Sequence, residues 1–250
     1  DPDYLEVLVA LAEQRTNRPV LDVGRNDLWL RAPFGKAIIF EDDELKDVGR
    51  SLVDHSMGII REWRPDLADE IFDTCRAVQF VRDPSADPRK IVSFSDNSVP
   101  GTLYVSISQG NELIDPYDLA DSLIHEHRHQ KLYLLERHAP TMEPTSAEVV
   151  SPWREDLRPP SGLLHAVFVF VELRRFWLYV RDFGPANLKS RAISQLNDTD
   201  LHLVQAFATL KECPLTEIGQ KLVDVLNCAS KGGSQSHENT CQDSASPIIT

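Results

Sequence analysis

Apolar residues recur at helical spacing over residues 3–15 (Leu5, Leu8, Val9, Leu11, Ala12), which predicts a helix near the start of the chain. The same period follows the acidic opening of "EDDELKDVGRSLVDHSMGIIREW", where carboxylates suit a helix N-terminus, and predicts a second helix over 41–63. From 77 to 108 the period shortens. "AVQFV" and "KIVSFS" are separated by the turn-rich "RDPSADPR", and in "TLYVSIS" Leu103, Val105 and Ile107 alternate with polar neighbours. These segments predict a small sheet of two or three strands, with "TLYVSIS" able to take up an extended peptide along its edge.

Helical spacing returns in "DPYDLADSLIHEHRHQKLYLLERHA", with Asp115 or Asp118 as the N-cap. The proline-punctuated stretch "APTMEPTSAEVVSPWREDLRPPSG" reads as a loop. "SGLLHAVFVFVELRRFWLYVRDF" reads as an apolar helix, and 187–211 and 215–228 as further helices. The fold class expected is therefore α+β, mostly helical, with a small sheet preceding the helix that carries the histidines. A single catalytic domain over 1–228 is expected, with residues missing upstream because no initiator Met is present, and with 229–250 as a polar, disordered tail.

Composition narrows the function. A net charge of −13, with Lys and Arg scattered, disfavours a nucleic-acid partner, and no run approaches the roughly 18 apolar residues of a membrane span. Cys75, Cys213, Cys228 and Cys241 lie far apart without a CxxC pair, which suits free thiols in a cytoplasmic protein. The chemistry concentrates instead in "LIHEHRHQKL", where His125, Glu126, His127 and His129 crowd into five positions of a chain with 8 histidines.

On a helix, His125 and His129 stand one turn apart and can bind one ion in adjacent positions. Glu126 lies about 100° round the axis, where it can serve a metal-bound water as general base without being a ligand. His127 points away from that edge, as a surface or hydrogen-bonded histidine. Two imidazoles need a further donor, and the chain offers Glu148, in a short stretch between prolines, or His165, within the apolar "GLLHAVFVFVE". With Glu126 as base and zinc as metal, the cluster reads as a metallopeptidase.

"LIHEHRHQKLYLL" followed by "SPWREDLRPPSGLLHAVFVFVELRRFW" resembles, over about 115–180, the HExxH-type peptide β-hydroxylases, formerly HExxH-motif putative peptide-modification proteins. The resemblance implies an iron(II)- and 2-oxoglutarate-dependent dioxygenase of natural-product biosynthesis, which hydroxylates Cβ of a residue in a ribosomally made precursor peptide. It implies His125, His129 and His165 as iron ligands and leaves open whether Glu126 is a ligand or a nearby base. It matches Arg154 to the arginine of a "PWR" element. A planar guanidinium is the best bidentate partner for the far carboxylate of the keto acid, so Arg154 is the first choice there and Arg158 the second, with Trp153 as a wall of the cofactor pocket or as packing under the loop. His127 departs from the aromatic or aliphatic residue usual in the family.

Overall fold

The computed structural model describes residues 22–23, 28–31, 33, 38–41, 43–87 and 90–232. The helix expected over 3–15 and the tail beyond 232 lie outside the described residues. The chain divides into two compact units, residues 1–140 and 141–250. Its α+β class, dominated by helix, is as expected.

The first unit holds β1 (Asp22–Val23), α1 (Leu28–Arg31), β2 (Ile39–Phe40), α2 (Lys46–Trp63), α3 (Pro65–Thr74), β3 (Ala77–Arg82), β4 (Ser93–Phe94), β5 (Thr102–Val105), the hairpin strands β6 (Ser108–Gln109) and β7 (Glu112–Leu113), and α4 (Pro116–His138). The sheet is larger than expected, with five strands in the order β1-β3-β5-β4 and β2 also pairing with β3. β3 runs parallel to β1 and β5, while β4 is antiparallel to β5, with Ser93 opposite Val105. β1 and β2 were hidden because each is only two residues long, too short to show alternation.

"TLYVSIS" is not one strand. Thr102–Val105 is buried at every residue, as an interior strand covered on both faces must be, and the chain then turns into the β6–β7 hairpin. β5 is flanked by β3 and β4, so it offers no edge to a peptide; among the described strands the edges belong to β4 on one side and to β1 and β2 on the other. A helix also escaped the sequence reading. Arg64 is extended and Pro65 occupies the first turn of α3, so proline begins a helix there instead of marking the end of α2.

Side chains fix α4 against its neighbours. The Asp115 side chain, and not Asp118, accepts from the Tyr117 amide as N-cap at 2.8 Å, and Ser56 of α2 donates to the Pro116 carbonyl at 2.9 Å. Leu119, Ala120, Leu123, Ile124 and Leu132 are fully buried. Leu135, further along the same helix, is 38% exposed, so the last turns of α4 run clear of the apolar interior. On the other helix that packs here, a Cβ at Gly49 of α2 would lie 2.1 Å from the Phe80 ring, so the helix meets the sheet closely only because no side chain intervenes.

The second unit contains β8 (Val149–Ser151), β9 (Arg154–Arg158), α5 (Pro160–Phe183), α6 (Lys189–Leu210) and α7 (Glu217–Lys231). The stretch read as a loop thus contains a β-hairpin. β-branched Val149 and Val150 favour a strand, and Pro152-Trp153 makes the turn between Ser151 and Arg154, which pair in register. Leu163, Leu164, Val167 and Val171 of α5 form a core with Leu203, Ala206, Phe207 and Leu210 of α6 and with Val223 and Leu226 of α7. α7 begins at a Thr216 cap that accepts from the Gly219 amide, and it continues to Lys231, so the first residues assigned to the tail are helical.

Candidate metal centre

The HExxH residues fall in the middle of α4, and the helix presents them to three different surroundings. His125 and His129 share one partly exposed stripe with Asp121 and Tyr133, four residues apart along the helix. The two imidazole centroids are 5.0 Å apart, and the His129 ring is followed by the Tyr133 ring at 6.3 Å, stacked. The His125 side chain is 26% exposed, so an incoming ion or ligand can reach it.

Glu126 turns the other way and is buried, with its Oε1 3.9 Å from His125 Nε2. Ser93 of β4 donates to that oxygen at 2.6 Å, and Ser95 adds a further side-chain hydrogen bond. Burial pushes the carboxyl above the usual range. The neighbouring His129 charge and the two serines pull it back, without reversing the shift. A carboxylate shielded from water yet hydrogen-bonded on one side is able to hold or release a proton beside the histidine pair.

The segment that supplies these serines, β4 and the residue after it, is itself fastened to α4. Gln130, one turn beyond Glu126, donates from Nε2 to the Asp96 carbonyl at 3.1 Å and accepts from the Gly101 amide at 3.2 Å. Arg137 donates to both the backbone and side-chain oxygens of Asn97 at 2.6 and 2.7 Å. Glu126, Gln130 and Arg137 therefore form a polar stripe that holds β4 and the turn leading to β5.

His127 faces α3 and is buried, as a hydrogen-bonded histidine and not a surface one. Its Nε2 lies 3.1 Å from Thr74 Oγ1, and its Nδ1 has no hydrogen-bond partner. Burial, aided by the positive charges of Arg128 and Lys131, lowers its pKa to about 3, so the ring is neutral. Lys131 is occupied by Glu70 of α3 at 2.5 Å.

The remaining candidates belong to the second unit. His165 is buried, near the start of α5. Glu148 is exposed just before β8. Arg154 is exposed on β9, and Arg158 at the other end of that strand lies 3.8 Å from Asp156. Trp153 stacks on Phe170, with centroids 4.5 Å apart and planes 9° apart, and meets His202 edge-on at 5.6 Å, so its indole is engaged at the rim of the helical core.

The histidine pair fits a divalent ion by donor type and position, since imidazole suits iron and zinc alike and residues one turn apart can take adjacent coordination sites. Among the described residues, no group of three or more His, Cys, Asp or Glu side chains is gathered to hold a metal ion. Sequence reasoning missed Ser93 and Ser95, though "SFS" in an alternating strand puts both hydroxyls on one face. It also missed Asp121 and Tyr133, which the fourfold spacing from the histidines marks out. No helix among the described residues is long and apolar enough to cross a membrane. The chain matches no protein-family model and no curated protein sequence.

Proposed function

We propose that the chain is an iron(II)- and 2-oxoglutarate-dependent oxygenase that hydroxylates Cβ of a residue in a ribosomally synthesised precursor peptide. The observation that supports it is the paired imidazoles of His125 and His129 on a partly open helical stripe, with a buried, hydrogen-bonded Glu126 beside them. The sequence resemblance carries the choice of iron and keto acid, and it assigns the third nitrogen to His165 and the far carboxylate of 2-oxoglutarate to Arg154, with Arg158 next. Iron and keto acid, when bound, supply the oxidising power for inserting oxygen into a C–H bond. In this reading the protein contributes donors of fixed orientation, a guanidinium for the diacid, and in Glu126 a negative charge that offsets an all-histidine ligand set.

A second reading, a zinc peptidase, draws support from Glu126. Its carboxyl is raised by burial and lies close to the donor nitrogen of His125, as a general base that activates water requires. The two readings part on one experiment. The protein is loaded anaerobically with iron(II) and given 2-oxoglutarate and air, and succinate release and a mass gain of one oxygen atom on a co-encoded peptide are followed. Iron-dependent succinate release with the mass gain supports the oxygenase. Zinc-dependent peptide cleavage that Glu126→Gln abolishes, with no succinate from the iron form, replaces it with the peptidase.

A further inference from the structure

The hydroxyls of Ser93 and Ser95 address a single carboxylate from a strand 33 residues away in sequence, and that separation is bridged by a dedicated set of contacts. Ser93 lies in β4 and Ser95 directly follows it, two residues on, and both hydroxyls reach Glu126 on α4. The strand cannot slide along the helix, because Gln130 grips the Asp96 carbonyl and the Gly101 amide while Arg137 grips Asn97. Gly101 itself sits at φ 81°, where a Cβ would come within 2.9 Å of the Thr74 carbonyl, so the turn that follows β4 requires glycine there. Glu126 Oε1 is meanwhile only 3.9 Å from His125 Nε2, close enough for a free carboxylate to compete for an ion held there.

We propose that Ser93 and Ser95 are positioning residues that clamp the Glu126 carboxylate beside the His125–His129 pair and keep it from becoming a metal ligand. This rests on the reading that the pair holds a divalent cation. Ligands that hold a metal depend on hydrogen bonds one layer out, and here the same kind of bond restrains a side chain that would otherwise join them. The clamp leaves coordination positions open for small ligands.

The test uses the full chain and cobalt(II) as probe, with visible absorption and calorimetry reporting coordination and affinity. In the Ser93→Ala/Ser95→Ala variant, cobalt binds more tightly than in the parent and the visible band changes. Adding Glu126→Gln to that variant restores the parent band, and Ser93→Thr alone keeps parent behaviour. With iron(II) and 2-oxoglutarate, the double alanine variant loses about 10- to 100-fold in kcat for succinate release with little change in KM for the keto acid. Should the double variant unfold, Ser95→Ala alone gives the same changes in smaller measure. General damage to the site would weaken cobalt binding and turnover together, and that result overturns the clamp, as does an unchanged cobalt band. A parent that binds cobalt but releases no succinate defeats the oxygenase reading and leaves the clamp to stand or fall on the spectra. A parent that binds no cobalt overturns both.

Discussion

His127 Nε2 lies 3.1 Å from Thr74 Oγ1, joining α4 to α3 through a buried imidazole held neutral between two histidines that face outward. The folded ring takes up a proton only near pH 3, whereas the unfolded ring does so near its ordinary value of 6.5. The unfolded chain therefore binds more protons between these values. The stability that His127 contributes is complete above about pH 6.5 and is lost as pH falls toward 3, by at most about 1.4 kcal/mol per unit. Urea midpoints measured against pH with a chelator present will show this slope in the parent protein and a flatter one in His127→Leu.

Gly101→Ala strains a left-handed turn and pushes a methyl toward the Thr74 carbonyl. It should cost about 1–2 kcal/mol from backbone conformation alone. Because this turn leads from β4 into β5, the variant should also loosen Ser93 and Ser95, and amide exchange over 93–101 should rise along with the fall in unfolding midpoint.

His125→Ala and His129→Ala each remove one of two imidazoles from a partly exposed stripe, so folding should be nearly unaffected while iron or cobalt binding falls below detection. Calorimetry and circular dichroism on the same samples separate the two effects. His165→Ala extends the test to the second unit, and unchanged metal binding there removes His165 from the ligand set.

Arg154 is exposed on β9, while Arg158 has an acidic neighbour, Asp156, at 3.8 Å. Arg154→Ala should raise KM for 2-oxoglutarate about tenfold or more with iron retained, the loss expected for a charge-assisted bidentate pair. Arg158→Ala should have the smaller effect. An unchanged KM in the first variant takes Arg154 out of the proposal.

Trp153 is placed by its stack on Phe170. Trp153→Ala should destabilise the chain by about 3 kcal/mol, and Trp153→Phe by about 1 kcal/mol. If thermal melts show those losses while KM for the keto acid is constant, packing is its whole role; a rise in KM for Trp153→Phe assigns it to the cofactor pocket.

The long helices were legible because their apolar residues repeat over many turns, and the pair His125–His129 because four-residue spacing has one geometric meaning on a helix. The short strands were not, since two residues such as Ile39 and Phe40 carry no period. The hairpin at Val149–Arg158 was masked by the prolines around it, whose presence argues for loop although Pro152 serves as a turn residue between paired strands. The serines that hold Glu126 are ordinary strand residues until the sheet order is known. No spacing rule links Ser93 to Glu126, because their meeting depends on β4 taking the far side of β5.

That order also makes one strand depend on another. β4 follows β3 in sequence, yet in the sheet β5 stands between them, so β4 pairs with a strand that comes after it. β4 rests on β5 alone among the described strands, and that pairing sets the register that brings Ser93 to Glu126. The surroundings of Glu126 therefore depend on β5, and a substitution that displaces that strand should strip the carboxylate of its hydroxyl partners without touching α4.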